Sequence, residues 1–285
     1  MSKNIKNVIA AIQYIENHLQ EELDLETVAK AVHYSKYHLH RIFSDTVGLT
    51  LHDYVKRRKL TEAAKLLVLS DKPILEIALI AGYESQQAFS DIFKTMYKKS
   101  PSQYRAEKVF YPLQLRYVLN ENPTNWEEDN WQEKNLFATN EDIPKWMELV
   151  HLVIDGFPHL DETQYLGQLR QYIKNKRALI LKDSDTAIGI MAFNEMTGNI
   201  DFFGIHPQYQ KRGIAKAFCK KVLHELTGSA QISATTFREG DKADPGYREA
   251  LKRLGFAEAE LLVEFGYPTQ RFVLQREMAE DKGHE

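Results

Sequence analysis

The sequence predicts a multidomain chain, with an all-α first third built from two helix-turn-helix units and an α/β last half. Three observations carry this prediction. Residues 35–43, Ser-Lys-Tyr-His-Leu-His-Arg-Ile-Phe, recur at an offset of 50 as residues 85–93, Ser-Gln-Gln-Ala-Phe-Ser-Asp-Ile-Phe. Between the copies, Leu51 to Leu69 reads as one long amphipathic helix, a rod of roughly 29 Å. From about residue 136 the order of periodic segments is strand, helices, strands, helix, strand, helix, two strands.

Size and composition agree. The 285 residues lead us to expect two domains, and 43% hydrophobic with 27% charged residues describes an ordinary globular protein. Apolar runs fall short of the ~18 residues of a membrane span, and the amino terminus reads as an amphipathic helix rather than a secretory leader. The single cysteine, Cys219, excludes an internal disulfide and a multi-cysteine zinc site. No metal site and no membrane partner are expected, and a cytoplasmic location follows from cysteine usage. Net charge is −3, but residues 1–105 hold 15 Lys+Arg against 12 Asp+Glu while the remainder holds 22 against 28.

In chain order, Ile5, Val8, Ile9, Ile12 and Ile15 make the first helical stripe. A helix follows from Asp24, a turn at Val32-His33-Tyr34, and a helix capped by Ser35 with Leu39, Ile42 and Phe43 inward. Lys36, Tyr37, His40 and Arg41 are left outward. Thr50 caps the long helix, which ends at Ser70-Asp71-Lys72-Pro73. In the second copy Ile74, Ile77, Ala78 and Ala81 pack, Gly82-Tyr83 turns, and Gln86, Gln87 and Ser90 face outward over Phe89 and Phe93. The alignment continues through Thr50 with Ser100 and Tyr54 with Tyr104. Arginine suits guanine O6 and N7, glutamine suits adenine N6 and N7, and Lys56-Arg57-Arg58-Lys59 suits either phosphates or solvent.

Residues 5–105 resemble the AraC/XylS family of transcription regulators, in its MarA/SoxS/Rob-like branch. Tyr34 to Phe43 and Gly82 to Phe89 carry the resemblance. It implies double-stranded DNA as partner, with Tyr37, His40 and Arg41 in one major-groove segment and Gln86, Gln87 and Ser90 in the next, and RNA polymerase as a further partner. Two departures stand out. His33 replaces the usual turn glycine, and Asp91 stands where a basic residue is common.

Val109 to Leu119 is apolar and β-rich, suiting either a strand of the second domain or a docked linker. Residues 120–134 are acidic. We divide the chain into 1–107 (paired helix-turn-helix), 108–134 (linker), 135–276 (α/β domain) and 277–285 (tail).

Within the α/β domain, Ile205-His206-Pro207 ends a strand. Gln210-Lys211-Arg212-Gly213-Ile214-Ala215 then crosses into a helix continued by Ala217, Phe218, Val222, Leu223 and Leu226. Free N–H groups at a helix start bind anions, and small residues with Lys211 and Arg212 favour a pyrophosphate. Gln210-x-x-Gly213-x-Ala215, the preceding strand, and Leu254-Gly255-Phe256 about 40 residues on resemble the GNAT family of N-acetyltransferases. The resemblance covers roughly residues 136–276. It implies an acyl-CoA N-acyltransferase fold with a central mixed sheet and acetyl-CoA as cosubstrate or ligand, held by Ile205, His206 and residues 210–215. The partner would be an amine substrate or an effector. The tyrosine that many relatives carry five residues before the Phe is here Leu251. Tyr247, one turn earlier, is the candidate acid, and Glu195, Asp201 and Glu239 are candidate bases by placement.

Overall fold

Ser35, Thr50, Ser85 and Ser100 set the helix starts of the first third. Each side chain accepts the backbone N–H three residues on, from His38, Asp53, Ala88 and Gln103. Such caps stabilise a helix by about 1 kcal/mol each. The offset of 50 is therefore a repeat of caps as well as of apolar positions.

The computed structural model describes residues 2–121, 131–153, 161–225, 231–264 and 266–276. The tail 277–285, Leu226 and the acidic stretch 122–130 lie outside the described residues. Contacts divide the chain into two units, Met1–Pro123 with His151–Leu160, and Thr124–Val150 with Asp161–Glu285.

The first unit contains α1 (Ser2–Asn17), α2 (Leu25–Ala31), α3 (Lys36–Val47), α4 (Leu51–Leu69), α5 (Ile74–Ile80), α6 (Gln86–Tyr97) and α7 (Pro101–Glu107). Val8, Ile12, Val28, Leu39, Phe43 and Tyr54 form the core of the first copy. Stacked and edge-on aromatic rings fill the second, with Phe93 4.4 Å from Tyr97 and Tyr97 5.0 Å from Tyr104. His33 takes the left-handed conformation, φ 59°, that its turn demands.

The two arginines of the basic run of α4 are enclosed, which the sequence did not lead us to expect, while Lys56 and Lys59 stay half-exposed. Arg57 and Arg58 are only 3% and 6% exposed. Arg58 grips Glu16 of α1 with Nη2 at 2.7 Å and Nε at 2.8 Å, and its Nη1 donates to the Gln114 carbonyl at 3.0 Å. Lys59 donates to the Glu21 carbonyl and Lys56 pairs with Asp53. A central helix packed on most sides must internalise some of its charges, and an internalised charge survives only when paired.

Residues 109–119 form no ladder; they dock on the first unit. Leu113 and Gln114 donate their N–H groups to Thr61 Oγ1 at 3.1 and 3.0 Å, and Tyr117 donates to the Tyr54 hydroxyl at 3.3 Å. Tyr104 donates to the Tyr111 carbonyl and accepts its N–H. Hydroxyls of α4 and α7 thus satisfy backbone groups that a sheet would otherwise satisfy.

The second unit contains α8 (Trp131–Lys134), β1 (Leu136–Phe137), α9 (Ile143–Val153) as far as Val150, α10 (Glu162–Lys174), β2 (Ala178–Asp183), β3 (Thr186–Phe193), β4 (Ile200–Ile205), α11 (Ile214–Glu225), β5 (Gln231–Phe237), α12 (Tyr247–Arg253), β6 (Ala257–Glu264) and β7 (Tyr267–Gln275). Two antiparallel sheets result, ordered β1-β2-β3-β4 and β5-β7-β6. The parallel part of the expected mixed sheet is one bridge, Asn199 to Ser233. β3 is buried from Ala187 to Phe193 because α10 and α11 both pack on it. Gly189 admits α11: a Cβ there would stand 2.9 Å from a ring carbon of Phe218.

Cys219 of α11 is fully enclosed, and burial pushes its thiol up to about 12. Reaction with a thiol reagent at neutral pH should be slower than for a free cysteine by roughly 10³-fold, the ratio of thiolate fractions. A colorimetric thiol assay with and without denaturant checks this. Among the described residues, no helix is long and apolar enough to cross a membrane.

Candidate functional site

On the first unit, the side chains expected outward are outward. Lys36, Tyr37, His40, Arg41, Gln86 and Gln87 are exposed, and Ser90 is half-buried. Tyr37 stands 79% exposed, with Lys36 Nζ 5.4 Å from its ring centre. A ring so fully in water gains nothing for the fold and is available to a partner. One contact on this face was not foreseen. Gln87 Nε2 donates to Asp91 Oδ1 at 2.9 Å.

On the second unit, β4 is bonded to β3 along one edge. Among the described residues its other edge meets β5 in a ladder only at the Asn199–Ser233 bridge, near the start of both strands. Beyond it β4 stays with β3 while β5 pairs with β7, so the two strands belong to different sheets at Ile205 and Phe237. A strand edge without a ladder partner offers backbone donors and acceptors to a ligand.

The chain leaves this edge through a built turn. His206 is buried, and its Nδ1 accepts the Gln208 N–H at 3.3 Å, opening a 3₁₀ turn over Pro207–Tyr209. The His206 ring is therefore part of the turn and packs edge-on at 5.5 Å from Tyr209. The Tyr209 hydroxyl donates to Asp183 at 2.5 Å, and the Arg212 guanidinium lies 5.2 Å from the Tyr209 ring centre. Lys211 and Gly213 both have positive φ, 61° and 77°, and both are exposed. Gln210, Arg212 and Ala215 are half-buried, and Ile205 and Ile214 pack into the core. α11 begins at Ile214, so its first-turn N–H groups point out beside Gly213 with two cations adjacent. Trp131 closes one side, 3.9 Å from where a Gly213 Cβ would stand. This arrangement fits a diphosphate ester.

The candidate acid and bases are dispersed. Tyr247 opens α12, half-exposed, with its ring 6.3 Å from that of Phe237 at the end of β5. Arg248 holds α12 there by donating to the Phe237 carbonyl at 3.0 Å and to Glu258 at 2.6 Å. Leu251 packs into the core. Asp201 sits at a β-bulge: Phe202 faces Ala192 and Ile200 faces Phe193, leaving Asp201 unopposed. Bulges re-aim side chains, and Asp201 turns to accept from the Tyr172 hydroxyl at 2.6 Å and from Asn199 at 2.7 Å. Burial, then the Asp201 carboxylate, raises the Tyr172 phenol well above its ordinary value. Glu195 is paired with Arg177 in the turn after β3, and Glu239 is exposed in the turn after β5. Tyr172 went unnoticed in the sequence because the contact depends on the bulge. Among the described residues, no group of three or more His, Cys, Asp or Glu is placed to hold a metal.

Comparisons with known proteins match both units. A helix-turn-helix domain model matches residues 28–107, and an acetyltransferase (GNAT) domain model matches residues 156–266. Over 107 residues the chain is 43% identical to the probable transcription factor PqrA of Proteus vulgaris, covering 37% of this chain and 86% of that protein. Over 103 residues it is 40% identical to the regulatory protein SoxS of Escherichia coli K12, covering 36% of this chain and 94% of that one. The transcriptional regulator Rob of Salmonella typhimurium is 37% identical over 106 residues, 37% of each chain. With its duplicated, capped recognition helices, the chain belongs to the AraC family of DNA-binding transcription regulators, and it carries a GNAT acetyltransferase domain besides.

Proposed function

We propose that the second unit binds acetyl-CoA and acetylates an amine, within a chain whose first unit reads duplex DNA through Lys36, Tyr37, His40, Arg41, Gln86, Gln87 and Ser90. The observation that carries the enzymatic half is the free edge of β4 running into the α11 start at an exposed, left-handed Gly213. Backbone N–H groups of residues 213–215, with Lys211 and Arg212, hold the pyrophosphate, and the β4 edge ending at Ile205 holds the acyl arm. When bound, acetyl-CoA supplies an acetyl group activated as a thioester. Asp201, oriented by Tyr172, accepts a proton at the bulge. Tyr247 Oη holds the proton that the departing sulfur requires.

Purified protein should release free CoA from acetyl-CoA in the presence of one member of an amine panel. Tyr247→Phe should lower kcat by about 10²- to 10⁴-fold with KM for acetyl-CoA unchanged. A wild-type protein that releases no thiol above background with any amine would defeat the enzymatic reading.

A second reading is favoured by Leu251, which occupies the core where related enzymes carry their tyrosine. In it the second unit senses acyl-CoA without turnover. Saturating acetyl-CoA should then change the affinity of the chain for its DNA site, and an unchanged affinity counts against sensing.

A further inference from the structure

The two recognition helices are chemically unlike. Through its first two turns α3 carries Lys36, His40 and Arg41, whereas α6 carries Gln86, Gln87, Ser90 and Asp91 and no cation. Gln87 and Asp91 are exposed one turn apart on the same face, joined by the 2.9 Å hydrogen bond from Nε2 to Oδ1. A free glutamine amide can turn either its donor or its acceptor end to a base, because its last torsion is broad. An ionised carboxylate only accepts, so it takes one N–H of the Gln87 amide and fixes which way the Gln87 oxygen and its second N–H face. The remaining carboxylate lone pairs add further acceptors to the same surface.

We propose that Asp91 is a specificity-determining residue for the DNA segment read by α6. It holds Gln87 in one orientation and makes the α6 surface acceptor-rich. This surface selects bases that present an amino group in the major groove on the contacted strand, adenine N6 or cytosine N4. It disfavours guanine and thymine, whose O6 and O4 acceptors stand where adenine and cytosine offer an amino group. α3, rich in donors, selects the opposite chemistry, so the two halves of the site differ in kind. The proposal rests on α6 entering a major groove, as membership of the family leads one to expect.

The test is selection from a random-sequence duplex pool with the full-length wild type and with Asp91→Ala, Asp91→Asn and Gln87→Ala. Wild type should enrich two elements about one helical turn apart, the second with adenine or cytosine at one or two adjacent positions of one strand. Asp91→Ala should lose about 5- to 150-fold discrimination at those positions and leave the first element intact. Asp91→Asn, which has a donor of its own, should admit guanine or thymine there. Because a carboxylate neutralises no phosphate, the salt dependence of Asp91→Ala should match wild type. Matching melting curves would confirm that these exposed substitutions leave the fold alone. Superimposable preferences in wild type and Asp91→Ala, or a uniform affinity loss with preferences intact, overturn the proposal. No enriched element with wild type would instead overturn the reading of α6 as a groove reader, and this proposal with it.

Discussion

Gly213→Asp should weaken acetyl-CoA binding by about 10- to 150-fold, the worth of one lost hydrogen bond to a charged group, while DNA binding is unchanged. Gly213 has φ 77°, where an L residue is strained by about 1–2 kcal/mol. The space beside it is open, since a Cβ would meet only Trp131 Cδ1 at 3.9 Å. The fold can therefore absorb the side chain, and the effect should fall on the ligand. An aspartate there covers the first N–H groups of α11 and sets a like charge against the phosphates. Titration calorimetry with acetyl-CoA measures the first effect, and a gel shift with a selected duplex measures the second. Equal acetyl-CoA affinity in wild type and Gly213→Asp would remove the cradle from this site.

Glu16→Ala should destabilise the first unit by about 3–5 kcal/mol, a large share of a typical domain's 5–15 kcal/mol. The Glu16 and Arg58 side chains are each only 8% exposed. Removing the carboxylate leaves a guanidinium in the interior with Glu62 as its remaining anion, at 3.1 Å. It also removes the acceptor of the Tyr54 hydroxyl, whose phenol burial and Glu16 hold well above its ordinary value. Glu16→Leu combined with Arg58→Met should recover most of the loss, because the penalty lies in the unpaired charge. All three tryptophans lie at residues 126–146, so indole fluorescence in urea follows the second unit, and a helical circular dichroism transition that does not coincide with it reports the first. The DNA-binding salt slope of the double variant should equal that of wild type; a slope lower by about one would return Arg58 to the phosphates.

Legibility followed the range of the interactions. The paired recognition helices were legible because each is set by a cap and an apolar stripe within a few residues, from Ser35 to Phe43 and again from Ser85 to Phe93. The turn into α11 was legible for the same reason, since Gly213 answers a local backbone demand. Lys56 to Lys59 were not. Consecutive helical charges point around the whole helix, and which of them is enclosed depends on Glu16, 42 residues from Arg58. Asp201 was named by its place in the chain, but its hydrogen bond to Tyr172 depends on a bulge that register with β3 creates. The affiliation of residues 109–119 was likewise open, because an apolar β-rich run suits a ladder or a dock equally.

By itself, then, the sequence determined the helix starts, the duplication, and the small-residue crossing from β4 to α11. Those depend on side chains capping or freeing a backbone group no more than four residues away. Only the tertiary structure decided that Arg58 of a basic run is a buried clasp on Glu16, that an apolar run is fastened by tyrosine and threonine hydroxyls, and that β4 and β5 part after a single bridge. Most of these contacts join groups tens of residues apart, as Thr61 with Leu113, Tyr54 with Tyr117 and Glu16 with Arg58, and such pairs exist only once the chain has closed around them.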